Sequence, residues 1–287
     1  MRRFAVLGSV AVLALLVAGI GSPAPVRTTL SGACAKANLD LVASGKLSLG
    51  TDNPAFPPWW GGKEGHGFKT SDPYSGKGYE SAIAYEVAKR LGFSKSEVTW
   101  QPLLYTKAYA PGKKSFDFYL AQVSYKPVRA KAVDFSRSYY DVNQAVVGIK
   151  GTPIMKVKTV AGLKKYTLGA PLGTTSYDYI VKYIKPNTKP KVYDSLNDGV
   201  TALKNKQIDG LVVDFPSSGY ITAVQIPTSA VVGRLPTKGV QEHFGLVLQK
   251  GSSLTACVNR ALTAMKADGT LKRLESKWLA GDAPLLK

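Results

Sequence analysis

The chain has 287 residues, of which 45% are hydrophobic and 20% are charged, a composition typical of a folded globular protein. Disorder over most of its length is therefore excluded. The formal charge of +19 comes from lysines scattered through every segment, without a nucleic-acid-binding motif. We therefore expect a solvated basic surface and no nucleic-acid partner.

Residues 1–24 begin with Arg2 and Arg3, continue as an apolar run from Phe4 to Ile20 and end in small residues. This order is typical of a secretory signal peptide. A membrane anchor is the alternative, although the run is shorter than the roughly 20 residues that a spanning helix requires. We expect an exported protein, periplasmic or associated with the cell envelope, whose charge is +17 after the two arginines are removed from +19.

Residues 25–44 form an N-terminal extension that contains Cys34, and the other cysteine of the chain is Cys257. An even number of cysteines in an exported protein suggests a disulfide, so we predict that these two are paired. The stretch "LSGAC" (30–34) faintly resembles a lipoprotein processing site. A lipid on Cys34 is therefore the alternative.

The segment 46–124 has the βαβ order of an α/β protein. Apolar and β-branched runs predict strands at 46–51, 98–103 and 116–124. Between the first two strands, an amphipathic helix ends at Gly92 and turns every fourth residue inward: Tyr79, Ile83, Val87 and Leu91.

A second α/β unit is predicted after residue 151, where the pattern restarts. A strand, a glycine turn and a helix occupy "YTLGAPLGTTSYDYIVKYI" (166–184), and the inward side chains of this helix are Tyr177, Ile180, Val181 and Ile184. The remaining elements are a helix from Ser195, strands at 208–214, 230–235 and 244–251, and two helices within 254–281 broken at Asp268 and Gly269. No low-complexity linker separates the two units, so the chain itself forms the joint.

The usual parts of a hydrolase or a metal site are missing from the sequence. There is no G-x-S-x-G motif, and His66 and His243 lie far apart without a nucleophile signature beside them. The glycine-rich "GGKEGHG" (61–67) lacks the flanking strand and helix of a phosphate-binding loop. We therefore predict no catalytic residue, no metal and no cofactor.

Three other features indicate a ligand that carries both a carboxylate and an ammonium group. Gly173, Thr174 and Thr175 precede a helix, where free N–H groups suit an anion. Ser124 is followed by Arg129, whose planar guanidinium can grip a carboxylate. "LVVDFP" (211–216) ends a strand in an acid, Asp214, and ligands of open α/β sheets bind beyond such strand ends. Helix capping and solvated surface charges are the alternatives.

The stretch "TDNPAFPPWW" (51–60) holds aromatic side chains among prolines that exclude a helix or a central strand. These rings either cap a nearby core or stack on a ligand, and the stretch alone leaves both possibilities open.

The order of these segments resembles the family-3 solute-binding proteins of ABC importers, which bind polar amino acids. The similarity runs from Lys46 to Leu279. The segments that carry it are "GTDNPAFPPW", "GKGYESAIAYEVAKRLG", "FDFYLAQVSYKPVRAKAVDFSRSYY", "GAPLGTTSYD", "VYDSLNDGVTALKNKQIDGLVVD" and "DGTLKRLESKWL".

The resemblance implies an α/β, two-lobed periplasmic-binding-protein fold of type II, with the ligand in the cleft between the lobes. Lobe one would comprise residues 45–142 and 239–287, and lobe two residues 143–238. Two hinge crossovers, near 142–147 and 233–240, would let the cleft close.

The resemblance also implies roles for individual residues. Arg129 would hold the ligand carboxylate with Ser124, Thr174 and Thr175, and Asp214 would hold the ammonium. The other expected binding residues are Asp52, Phe56, Trp59 and Gln122, with Trp60 packed outside the pocket. Three departures concern the side-chain end of the site: the loop before Phe56 has an extra residue, Gln122 replaces a small hydroxyl residue, and Lys126 replaces a threonine.

The function implied is that of a monomeric substrate-binding component that delivers an amino acid to an ABC transporter permease. The alternative is a secreted dehydratase on the same fold, acting on a cyclic amino-acid precursor. Such an enzyme needs a spare acid as proton donor, and the sequence offers none beyond Asp52 and Asp214, which both have binding roles. A sensor domain is a further rival, but no second membrane span or kinase-like region accompanies it.

Overall fold

The structure is a computed structural model that describes residues 29–279, 281 and 283–287. The predicted signal peptide, residues 1–24, lies outside the described residues. None of the helices that the described part of the chain forms has the length and apolar character needed to cross a membrane.

Twelve strands form the framework of the described residues: β1 Leu47–Thr51, β2 Val98–Pro102, β3 Phe118–Tyr119, β4 Val133–Phe135, β5 Tyr140–Asp141, β6 Gln144–Ile149, β7 Leu168–Pro171, β8 Lys191–Tyr193, β9 Gly210–Asp214, β10 Ser229–Arg234, β11 His243–Phe244 and β12 Val247–Gln249. The α-helices are α1 Tyr79–Arg90, α2 Tyr105–Ala108, α3 Pro127–Ala130, α4 Thr175–Tyr179, α5 Leu196–Lys204, α6 Phe215–Tyr220, α7 Leu254–Ala267 and α8 Thr270–Trp278. π-helical turns extend α4 over Ile180–Ile184 and α6 over Ile221–Gln225.

Lobe one is built on a sheet with the strand order β2-β1-β3-β12-β4. Strands β1, β2 and β3 run parallel, whereas β12 runs antiparallel to its neighbours. Helices α1, α7 and α8 pack together beside this sheet. The inward face predicted for α1 is confirmed, because Tyr79, Ile83, Val87 and Leu91 are all fully buried.

Lobe two is built on a second sheet with the order β10-β6-β9-β7-β8. The helix after β7 begins as predicted, and Ile180 and Ile184 are buried. Val181 was predicted to face inward, but 47% of it is exposed. The prediction was wrong because this part of the helix is a π-turn, whose larger number of residues per turn changes which side chains share a face.

The chain passes between the sheets where β5 and β11 form an antiparallel ribbon, with Tyr140 opposite Phe244. It leaves lobe one after β5 and returns to it through β11. The two-lobed α/β fold with two crossovers therefore agrees with the prediction.

The C-terminal residues 283–287 cross to lobe two, although the sequence analysis placed them in lobe one. Leu285 pairs with Arg234 at the edge of β10, and Leu286 is buried in the core of lobe two. Gly233, without a side chain, leaves the space that Leu286 fills. Burial of the apolar Leu286 side chain stabilises the position of the C-terminal residues on lobe two. The remaining lobe limits stay predictions.

The predicted disulfide is present and joins Cys34 to Cys257, with the sulfurs 2.07 Å apart. It fastens the N-terminal extension to α7, and both cysteines are buried. A sulfur in a disulfide cannot also carry a thioether-linked lipid, so this pairing is incompatible with the lipidated alternative.

Candidate functional site

A cleft of about 430 Å³ lies between the lobes and is lined by side chains from both. Eight of the nine residues that the sequence analysis assigned to the ligand line it: Asp52, Phe56, Trp59, Gln122, Ser124, Thr174, Thr175 and Asp214. The ninth, Arg129, is not among the lining residues. The fold brings these eight residues together in one cleft. The role of each one in binding a ligand stays a prediction.

Arg129 lies in the short helix α3 and is buried. Its Nη1 donates to the backbone oxygen of Ser124 at 2.7 Å, and its Nη2 donates to that of Gly173, in lobe two, at 3.0 Å. The guanidinium also lies over Tyr109, 4.4 Å from the ring centroid. A guanidinium carries more N–H groups than these contacts use, so donors remain for a ligand carboxylate.

Hydroxyl groups of both lobes meet at the start of α4. Thr175 Oγ1 lies 3.4 Å from Ser124 Oγ. Thr174 Oγ1 accepts from the backbone N–H of Tyr177 at 3.2 Å, so this side chain caps the helix. Gly173 has a φ of +74°, a left-handed conformation that glycine adopts without strain.

Asp214 ends β9 and its carboxylate accepts a hydrogen bond from Gln144 Nε2 at 2.7 Å. It is not a side-chain cap of α6, the alternative considered from sequence. Burial, and after it the negative charge of Glu242, raise the pKa of Asp214 to about 8, although the bond from Gln144 opposes the shift. The positive charge of Arg129 also opposes the shift, so burial and Glu242 outweigh both Gln144 and Arg129.

Glu242 and Gln144 are site residues that sequence reasoning missed. Ser124 Oγ donates to Glu242 Oε1 at 2.6 Å, and Gln144 Nε2 donates to Glu242 Oε2 at 3.0 Å. Glu242 lies in the polar stretch "TKGVQEH" (237–243), where nothing local distinguishes it from a solvated residue. The expectation that the site holds no acid beyond Asp52 and Asp214 is therefore wrong.

Gln122 lines the cleft but its side-chain amide is engaged by Glu80, a fully buried residue of α1. Glu80 also accepts from the backbone N–H of Gln122 at 2.7 Å and from the Tyr139 hydroxyl. These bonds hold Gln122 at a φ of +52°, which non-glycine residues rarely adopt. Burial raises the pKa of Glu80 to about 7, although the bonds from Tyr139 and Gln122 oppose the shift.

The aromatic side chains of the proline-rich loop have different surroundings. Phe56 is half-buried and faces Tyr220 of lobe two, with the ring centroids 6.0 Å apart. Trp59 is 2% exposed and packs into the core of lobe one, while its Nε1 donates across the cleft to Ser217 Oγ at 2.9 Å. Trp60 packs edge-on against Trp100 and is also among the residues that line the cleft, so the expectation that it packs outside the pocket is wrong. Most of the Trp59 side chain is thus buried by core packing, whereas the Phe56 ring is more exposed to the cleft.

The lining of the cleft is acidic although the chain as a whole is basic. Among the described residues it contains the carboxylates of Asp52, Asp194, Asp198 and Asp214 and no Lys or Arg side chain. Burial raises the pKa of Asp52 above its usual range, against hydrogen bonds from the backbone of Asn53 and Tyr105. In the described part of the chain, no three His, Cys, Asp or Glu side chains are grouped to hold a metal ion.

Fold and cleft together define a two-lobed solute-binding protein with its site between the lobes. The chain belongs to the bacterial extracellular solute-binding proteins of family 3, whose sequence model matches residues 63–281. The resemblance found in the sequence and the type II fold that it implied are therefore confirmed.

Curated relatives of the chain bind amino acids. The arginine-binding extracellular protein ArtP of Bacillus subtilis (strain 168) is 28% identical over 209 residues, covering 71% of this chain and 78% of ArtP. The ABC transporter arginine-binding protein 1 of Escherichia coli (strain K12) is 31% identical over 174 residues, covering 58% of this chain and 67% of that protein.

Solved structures with the same fold include an ancestral arginine-binding protein bound to arginine. It has a TM-score of 0.65 and 28% identity, and the match covers 82% of this chain and 99% of that one. The ancestral amino acid-binding protein AncCDT-1, a precursor of cyclohexadienyl dehydratase, has a TM-score of 0.64 and 27% identity over 82% of this chain and 96% of that one.

Proposed function

We propose that this chain is the exported substrate-binding component of an ABC importer, which closes on a free amino acid and delivers it to a membrane permease. Family membership and the amino-acid-binding relatives support the general role. At the residue level, the proposal assigns the ligand carboxylate to Arg129, Ser124 and Thr175, and the ammonium to Asp214. The protein is proposed to act as a monomer.

The single observation that carries the ligand class is the acidic lining of the cleft in a basic protein. Asp52 and Asp214, whose pKa values are raised by burial, favour a cation because a charge is costly to bury alone. Asp52 lies near Phe56, at the loop proposed to receive the ligand side chain. We therefore propose an amino acid with a cationic side chain, and arginine is the first candidate because relatives bind it.

Contacts across the cleft support the proposed closing motion. Trp59 Nε1 donates a hydrogen bond to Ser217 Oγ, and Lys126 Nζ forms an ion pair with Asp178 Oδ2 at 2.5 Å. Lys126 also donates to the backbone oxygen of Gly173 at 3.2 Å. Because these bonds join different lobes, each favours the closed state over the open one. Lys126, a departure from the family pattern, thus belongs to the interlobe contacts.

A thermal-shift screen of the mature protein against the standard amino acids tests the proposal. A ligand at 100 times its dissociation constant stabilises by about 2.7 kcal/mol, which gives a clear rise in melting temperature. We expect the largest shift with arginine or lysine and a smaller one with glutamine. Calorimetric titration then compares wild type with Asp52→Asn, which should lose arginine affinity more than glutamine affinity. Absence of a shift with every amino acid would refute the proposal.

The dehydratase alternative has one observation in its favour, the acid Glu242 beside Ser124 and Asp214. Burial raises the pKa of Asp214, and a carboxyl with a raised pKa suits proton donation. Incubation with prephenate-like compounds, followed by absorbance of an aromatic product, separates enzyme from binder. We expect no product above the uncatalysed rate, and turnover abolished by Glu242→Gln would establish the alternative instead.

A further inference from the structure

Two carboxylates, of which that of Asp214 lines the cleft, are held side by side by a single amide. Gln144 Nε2 donates to Asp214 Oδ1 at 2.7 Å and to Glu242 Oε2 at 3.0 Å. The orientation of the amide is fixed because its oxygen accepts from Ser176 Oγ at 2.6 Å. Gln144 is 3% exposed and lies opposite Asp214 in the pairing of β6 with β9. The pair is therefore built into the sheet and the second crossover.

The groups that face this pair from the surrounding elements do not neutralise it. Glu80 of α1 adds a further negative charge, and the hydroxyls of Tyr105 and Tyr140 are uncharged at neutral pH. Arg129 is a cation that faces the pair, but its charge lowers the pKa of Asp214 less than burial and the charge of Glu242 raise it. Its Nη1 and Nη2 donate to the backbone oxygens of Ser124 and Gly173.

His243, which follows Glu242 in sequence, packs its ring against an aromatic side chain. Its ring stacks on Tyr125, with the ring centroids 5.5 Å apart and an interplanar angle of 9°. The imidazole of His243 therefore has an aromatic partner.

Two like charges bonded to one amide repel each other, so one of them gains by binding a proton. The same repulsion disappears when a cation approaches both. Since Asp214 lines the cleft and is the residue proposed to hold the ligand ammonium, the ammonium of a bound amino acid is the cation that fits here.

We propose that Glu242 is a second carboxylate for the ligand ammonium, and that Asp214 and Glu242 share one proton in the empty cleft and release it to solvent on binding. The inference rests on the proposed function, because it concerns the same site. The two carboxylates lose one proton to solvent and gain the ligand ammonium beside them, so the charge of this group of atoms does not change.

The direction of the pH effect follows from this exchange. Burial and the charge of Glu242 raise the pKa of Asp214 to about 8, so the empty pair retains its proton at neutral pH. A bound ammonium favours the ionised pair and lowers its pKa. Affinity should therefore rise as the pH increases toward 8, and fall by about tenfold for each unit of pH below it while one proton is exchanged.

Calorimetric titration with L-arginine in buffers of different ionisation enthalpy measures the proton directly. At pH 7, the slope of observed enthalpy against buffer ionisation enthalpy should correspond to nearly one proton released by the wild type. Glu242→Gln should release less than the wild type, because it removes the charge of Glu242 and leaves burial as the main cause of the raised pKa of Asp214. The affinity of this variant should depend less steeply on pH between 6 and 8 than that of the wild type. Asp40→Asn, at an exposed acid before β1, is the matched control and should behave as wild type.

Glu242→Ala serves as a second variant and should give the same loss of proton release, so that the test does not depend on one substitution folding. Equal proton release by wild type and both variants, or none by the wild type, would overturn the inference while leaving the proposed function intact. Failure of the wild type to bind any standard amino acid would overturn the proposed function, and this inference with it.

Discussion

Replacing Arg129 should reduce both the stability of the fold and the affinity for the ligand, and the sizes of the two losses distinguish its structural role from its proposed ligand role. The side chain is 5% exposed and bonds the backbone oxygens of Ser124 and Gly173. Arg129→Ala leaves Gly173 with the bond from Lys126, so mainly the Ser124 oxygen loses its partner. A hydrogen bond to a charged group contributes about 1.5–3 kcal/mol, which is the expected loss in free energy of unfolding.

Binding should suffer more than stability does. Truncating one partner of a buried, hydrogen-bonded charge pair costs on the order of 2–5 kcal/mol, or roughly 30-fold to several thousand-fold in affinity. Arg129→Lys keeps the charge but loses the planar, bidentate geometry, so its affinity should lie between those of wild type and Arg129→Ala.

Calorimetric titration of both variants at two salt concentrations, with urea denaturation in parallel, measures the two effects separately. Arg137→Ala is the matched control, since Arg137 is an exposed arginine of the same segment. Its affinity should change by less than about 1 kcal/mol, mainly at low salt. Wild-type affinity in Arg129→Ala would refute the carboxylate role, and a salt-sensitive loss equal to that of Arg137→Ala would identify a surface charge.

Three further predictions concern other contacts of the fold. Replacing Cys34 and Cys257 by serine should lower the free energy of unfolding by about 2–5 kcal/mol in urea denaturation, and reduced wild type should match the variant. Trp59→Phe keeps the ring but loses the bond to Ser217, so affinity should fall about fivefold, the equivalent of about 1 kcal/mol; Ser217→Ala should give the same loss, and the double variant no more, whereas additive losses would contradict a direct bond. Glu80 has a pKa raised from 4.5 to about 7, so the folded state binds its proton more tightly and stability falls as the pH rises through this range. Glu80→Gln should remove that part of the fall, as measured by urea denaturation from pH 4.5 to 7, and an unchanged pH profile would contradict the shift.

Local sequence determined part of the elements and, in α1, the face that the helix buries. The predicted strand 244–251 is instead divided into β11 His243–Phe244 and β12 Val247–Gln249, and the predicted strand 116–124 shortens to β3 Phe118–Tyr119. In α1 the four-residue spacing from Tyr79 to Leu91 was enough to predict the buried face, because a regular α-helix places such residues on one side. Ser195 at the start of α5 and Gly269 between α7 and α8 mark helix ends as predicted. The disulfide was predictable because the chain has only one possible pair of cysteines, Cys34 and Cys257.

Residue spacing did not predict the buried side chains where the helix is irregular, or in the loop whose aromatic residues have no regular spacing. Val181 is exposed because α4 continues as a π-turn, which its sequence does not announce. Trp59 belongs mainly to the core, and the loop sequence allowed both the core and the ligand as its partner.

Only the tertiary structure decided the polar contacts of the site. Glu242 meets Ser124 and Gln144 because the second crossover returns the chain between the lobes, far from those residues in sequence. Arg129 bonds Gly173 because the lobes lie against each other. The physical reason is that backbone and side-chain preferences act over a few neighbouring residues, whereas a charge in a cleft takes its partners, and hence its pKa, from whichever distant segments the fold brings within hydrogen-bonding distance.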